Sequence, residues 1–263
     1  MDSKPINKAK NDLVDFTLFL ADSSLIMGHR LSEWTGHGPS IEQDIAITNI
    51  ALDLIGQARN FYQYAAKLEN LKNNNEEVIT EDDLAYLRDA NEFKNLLITE
   101  LPNGDWAFTI SKLFFFSTWQ FYFYQKLVYS KHEQLSAIAE KSLKEVTYHV
   151  RWSGGWIIRL GDGTEESKQR MEKAISNLWP YTDEMFSPSI FEENLKDSIS
   201  IDVSIIKNDW LEKVKSIFTE ATLSVPEGGW MQSGGKSGAH TEHLGYILAE
   251  MQFMQRAYPG LEW

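Results

Sequence analysis

Apolar residues recur along this chain at the three- and four-residue spacing of helices, and no strand alternation persists beyond about five residues. From about Asp12 to Leu31, the residues Leu13, Phe16, Leu20 and Met27 share one inward face. A second long helix is predicted over Pro39–Leu71. Ser40, with Gln43 three residues later, reads as a capping box, and Glu42 and Asp44 place negative charge in its first turn. At helical pitch Ile41, Ile45, Leu52 and Ile55 fall on one side, and Ile47, Ile50, Leu54 and Ala58 on another. A narrow polar stripe of Glu42, Asn49, Asp53 and Asn60 runs between them. A helix apolar on two sides is expected to be buried inside a multi-helix assembly.

Asn73–Asn75 is read as a polar break and Glu81–Thr99 as a shorter amphipathic helix. Asp105 opens a strongly aromatic helix to about Tyr129. Another follows from Glu133 to Leu160, stopped at Gly161-Asp162-Gly163 by a left-handed glycine. Thr164 with Ser167 caps a helix through Leu178, which Pro180 halts. Phe186–Asp202 reads as irregular, Asn208–Thr222 as helical, Gly228–Gly238 as a loop, and His240–Ala257 as the final helix. No repeat is present. Long helices and short loops predict an all-α, up-and-down bundle with added helices, forming one domain over residues 1–263.

Composition narrows the function. The 263 residues are 43% apolar and 13% aromatic, enough for a sizeable core, and the absence of cysteine excludes thiolate metal or redox chemistry. The N-terminus MDSKPINKAK carries no apolar stretch after its lysines, so no secretory signal is expected. The most apolar run, Leu113–Tyr124, is shorter than the roughly 20 residues that span a bilayer. A cytoplasmic protein without membrane attachment is expected. The net charge of −13 argues against nucleic-acid phosphate as a partner.

Helical bundles commonly hold two metal ions between carboxylates and paired Glu-x-x-His motifs. The six histidines test this completely. Three residues before His29, His37, His132, His149, His240 and His243 stand Ile26, Trp34, Tyr129, Val146, Ser237 and His240, none of them a carboxylate. Glu145 with His149, four apart, is the nearest imitation. His240 and His243, with Glu242 and Glu250, could in principle share a zinc ion, but capping and surface hydrogen bonding are expected instead. Gly234–Ser237 resembles the end of a phosphate-binding loop, yet Trp230 stands where the first glycine is needed and no strand precedes it. Gly36-His37-Gly38 reads as a turn, and no Gly-x-Ser-x-Gly elbow occurs. Asp22, on an otherwise apolar helix, is expected to meet Asp53 in the bundle centre. The rings from Phe114 to Tyr124 surround their helix, so either the chain's own core or a partner protein must cover them. Trp119 and Phe123 are the candidate contact residues. Trp152, Gly154, Gly155 and Trp156 suggest close backbone approach or a local kink.

Three segments then carry a specific resemblance: LSEWTGHGPSIEQDIAITNIALDLIGQAR, EVTYHVRWSGGWIIRLGDGTEES and HTEHLGYILAEMQFMQRAYPG. In this order, over nearly the whole chain, they resemble the C-subunit family of bacterial phenylacetyl-CoA 1,2-epoxidases. The resemblance implies a ferritin-like fold and a non-catalytic partner of a homologous A subunit that binds the di-iron centre and the substrate. It further implies a reductase that supplies electrons and a small bridging B subunit. Such a complex adds one oxygen atom of O2 across the aromatic ring of phenylacetyl-CoA. No metal ligand and no catalytic residue is carried over, and no cofactor is expected in this chain. Asp22, Asp53, Glu145 and His149 are expected as a vestigial polar core, bonded among themselves. The contrasting reading is an oxygen-activating enzyme with an unusual metal set on Glu145, His149, Asp22, Asp53 and Asp105. A free acyl-CoA carrier fits the acidity least. Whether the isolated chain self-associates is left open.

Overall fold

Four long helices pair two by two. The computed structural model describes residues 5–71, 78–199, 201 and 203–261. Helix α1 (Pro5–Ser32) packs along α2 (Ile41–Asn70), and α5 (Trp106–Leu127) packs along α6 (Glu133–Gly161). Cross-contacts give the directions. Phe16 stacks on Phe123 and Phe19 meets Trp119, so α1 and α5 are antiparallel. Gln43 bonds Trp156 and Gln57 bonds Glu145, so α2 and α6 are antiparallel too. The order is therefore up, down, down, up. This corrects the plain up-and-down connectivity read from the loops: a long crossover between α2 and α5 carries the chain back along the bundle, as ferritin-like folds require.

That crossover holds α3 (Glu81–Tyr86), a 3-10 turn at Ala90–Glu92 and α4 (Leu97–Glu100), not the single helix expected over Glu81–Thr99. The expected break at Asn73–Asn75 lies outside the described residues. Helix α7 (Glu165–Leu178) packs on α5 and α6. Its expected cap is present, with the Thr164 hydroxyl accepting from Ser167 N at 3.2 Å. The stretch read as irregular, Phe186–Asp202, contains α8 (Ile190–Ile199) and is entered from a 3-10 turn at Asp183–Phe186. Phe191, Leu195 and Ile199 line its buried face, and Glu192 accepts from Ser189 N at 2.8 Å in a capping pair. Helix α9 (Val203–Glu220) covers α5, where Trp210 donates to the Phe115 carbonyl at 3.0 Å. The final helix divides into α10 (Glu242–Met251) and α11 (Phe253–Ala257).

Two local expectations fail for identifiable reasons. Ser40 makes no side-chain cap: its hydroxyl bonds the Glu42 carboxylate, while Gln43, its expected partner, accepts from the Trp156 indole at 2.9 Å and Asp44 accepts from Gly38 N at 2.9 Å. Gly161 and Gly163 are not left-handed. Gly161 is required by close approach: a Cβ there would overlap the Ala221 carbonyl.

The aromatic helix is covered by the chain itself. Phe114, Phe115, Phe116, Trp119, Phe123 and Tyr124 are all at most 1% exposed. Helix α2, in contrast, has only one buried apolar side. Ile47, Ile50, Leu54 and Ala58 face the core, whereas Ile41, Ile45 and Leu52 are 72%, 55% and 60% exposed. Both flanks of α2 are taken, by α1 and α6, and among the described residues nothing packs over its outward side. Among the described residues no helix is long and apolar enough to cross a membrane.

Candidate functional site

The point where a bundle of this kind could hold metal is its centre, and each of the four long helices sends a side chain there. Gln57 of α2 donates through Nε2 to Glu145 Oε2 of α6 at 2.9 Å. Its Oε1 lies 3.3 Å from Gln120 Nε2 of α5. That same nitrogen lies 3.4 Å from Ser24 Oγ of α1 and 3.2 Å from Tyr124 Oη. Ser24, Gln57, Gln120 and Tyr124 are all at most 1% exposed. Burial raises the Glu145 carboxyl above its usual range; the Gln57 bond opposes this, and the nearby Asp53 carboxylate adds to it.

The donor set does not fit a di-iron centre. Such a centre needs several anionic oxygens converging on two cations, whereas three of the four helices contribute a hydroxyl or an amide at the node. The amide N–H of Gln57 points at the one carboxylate, which is where a cation would have to sit. Among the described residues no three His, Cys, Asp or Glu side chains are grouped to hold a metal ion. His149, fully buried, carries its Nε2 proton toward Asp53 Oδ2 at 3.0 Å. Asp53 is 37% exposed and lies on the outer edge of α2.

The four residues expected as one polar core are therefore divided. Asp53 and His149 meet directly. Glu145 stands beside them but bonds Gln57. Asp22 does not meet Asp53 at all: fully buried, it forms an ion pair with Arg88, accepts from Tyr62 Oη at 2.6 Å, and accepts from Lys94 N at 2.8 Å. Burial works against the Arg88 charge, yet the Asp22 carboxylate more than restores it. Asp105, proposed in the alternative metal set, caps α5 by accepting from Phe108 N at 3.0 Å. Sequence reasoning missed Ser24, Gln57, Gln120 and Tyr124. The helical register of Asp53 and Glu145 pointed toward this depth, but neutral amides carry no metal signal.

The remaining candidates resolve as architecture. His240 bonds Glu100 at 3.2 Å through Nδ1 and the Phe93 carbonyl at 2.9 Å through Nε2. Two acceptors call for protons on both nitrogens. Burial opposes that charge, but these bonds hold the His240 pKa above its ordinary value. His243 is not drawn into this group; Thr241 caps α10 through the His243 N–H. In the glycine loop, Lys236 is buried and donates to Glu192 at 2.8 Å and the Ser187 carbonyl at 3.0 Å. Its ammonium is committed to an internal pair and is not offered to a phosphate. Buried Glu184 pins the same loop, accepting from Gly234 N, Gly235 N and Leu97 N at 2.8, 2.7 and 2.8 Å. Trp119 and Phe123, the candidate contact residues, are each 1% exposed within the chain's own core and present no face to a partner.

The chain is 44% identical to the C subunit of the 1,2-phenylacetyl-CoA epoxidase of Escherichia coli (strain K12), over 254 residues that cover 96% of this chain and all of that protein. The family model described as "Phenylacetic acid catabolic protein" matches residues 1–263. This four-helix core with its long crossover, matched along its whole length, belongs to the phenylacetic acid catabolic protein family.

Proposed function

We propose that this chain is the non-catalytic structural subunit of a multicomponent phenylacetyl-CoA 1,2-epoxidase, acting in the cytoplasm in aerobic phenylacetate breakdown. It supports a homologous catalytic A subunit that holds the di-iron centre and binds phenylacetyl-CoA, and a small B subunit bridges the assembly. The observation that carries the reading is the amide-filled bundle centre. Gln57 and Gln120 knit the four helices together through their side-chain amides, leaving Glu145 as the only carboxylate directly bonded into that node among the described residues. Such a node holds the helices in register without a metal.

The competing reading is an oxygen-activating protein with its own metal, and the nearness of Asp53, Glu145 and His149 is what favours it. Metal analysis of the chain purified alone decides between them. The structural reading expects sub-stoichiometric iron and no reaction with O2. Tightly bound stoichiometric iron with oxygen or peroxide reactivity would overturn it. Co-purification with the catalytic subunit, against a control lacking this chain, tests the supporting role.

A further inference from the structure

Helix α2 turns an apolar stripe outward, and α6 extends it. Ile41, Ile45 and Leu52 stand at helical spacing on the side of α2 opposite the core, exposed by half or more. The stripe runs roughly 17 Å along the helix axis. The pairs Gln43–Trp156, Asp53–His149 and Gln57–Glu145 fix α6 alongside, antiparallel. At helical pitch this places Tyr148, 39% exposed, and Gly155 on the same outer surface. A Cβ built at Gly56 or at Gly155 meets nothing within 4 Å, so both helices leave room for another backbone to approach closely.

The rim carries the second observation. Arg151 lies over the Tyr148 ring at 5.8 Å and Arg159 over the Trp156 ring at 5.4 Å. In a chain of net charge −13, and among the described residues, neither guanidinium has a carboxylate partner. Aromatic rings beside arginine, around an apolar strip, are the composition of an interface centre.

We propose that this outer α2–α6 face receives the catalytic subunit, which lays a helical apolar surface over Ile45 and Leu52 and sets carboxylates opposite Arg151 and Arg159. This rests on the structural-subunit reading and gives it a place on the molecule. It replaces the aromatic helix as the contact surface, because the α2–α6 strip is exposed and the α5 rings are not.

The test uses this chain and the catalytic subunit, both full-length and purified separately, with the dissociation constant measured for wild type and for the Ile45→Asp, Leu52→Asp and Arg159→Glu variants. All three positions lie on the outer face, so melting temperatures should match wild type. Each aspartate variant should weaken binding by at least about thirtyfold. Arg159→Glu should weaken it and flatten its salt dependence. If wild type binds and both aspartate variants bind within threefold of it, the face is wrong while the structural role stands. If wild type does not bind the catalytic subunit, the role itself fails. If instead Leu52→Asp only converts a self-associated chain to monomer and leaves catalytic-subunit binding intact, the occupant is a second copy and the proposal is overturned.

Discussion

Gln57 donates to Glu145 at 2.9 Å across the middle of the bundle, a fully buried neutral amide bonded to a half-buried carboxylate. Replacing that amide by its isosteric acid puts two carboxyl groups in contact, one of them shut away from water. Gln57→Glu should destabilise the chain by about 1–3 kcal/mol at pH 8. Both carboxyls would then have folded-state pKa values raised above their unfolded ones. The loss should therefore grow as pH rises through the carboxylate range and shrink toward pH 5, where one group is protonated. Chemical denaturation at the two pH values measures it; an equal cost at both would contradict the account.

Asp22 and Arg88 form a buried pair that ties α1 to the crossover, and Tyr62 and Lys94 N complete the carboxylate's shell. Asp22→Asn removes the charge and leaves a guanidinium buried without its counter-ion. Breaking one side of such a pair costs about 3–5 kcal/mol. Denaturant midpoints should fall accordingly. The conservative size of asparagine excludes a cavity as the cause.

Glu184 gathers three backbone N–H groups, from Leu97, Gly234 and Gly235. Glu184→Gln keeps one accepting oxygen and turns an N–H2 toward donors, a mismatch costing about 1–3 kcal/mol. The effect should be concentrated in the glycine loop. Limited proteolysis should cleave near residues 228–238 faster than in wild type, with little change elsewhere.

Lys112 is fully buried, its ammonium donating to the Leu101 carbonyl at 2.6 Å and Asn103 Oδ1 at 3.1 Å. Burial, and then the nearby Arg30 charge, lower its pKa from 10.5 to about 7. Between those two values the unfolded lysine holds a proton that the folded one has released. Stability contributed by this group therefore rises from pH 7 toward pH 10.5, by up to roughly 5 kcal/mol. Lys112→Met should flatten that part of the stability–pH curve. Denaturation from about pH 6.5 to 10, compared between the two proteins, reads the difference in slope.

Much of this molecule was legible in its sequence because the signals were local. Helical spacing placed the four long helices, Asp105 was read as opening its helix and Thr164 as a cap, and the histidine census showed that no Glu-x-x-His pair exists. Spacing alone cannot say which apolar face has a neighbour. Ile47 and Ile45 look alike in the chain, but one meets the bundle and the other faces outward, because α1 and α6 cover only the flanks of α2. Likewise Asp22 and Asp53 were equally plausible at the centre. The crossover brought Arg88 against Asp22, and the register of α6 brought His149 against Asp53. Helix, census and the cap at Thr164 depend on residues within a few positions of one another, so the sequence alone determined them; the cap expected at Ser40 is absent where Gln43 turns to the distant Trp156. The amide node, the ion pairs and the outward stripe depend on side chains far apart in sequence but close in space, and only tertiary packing decided those.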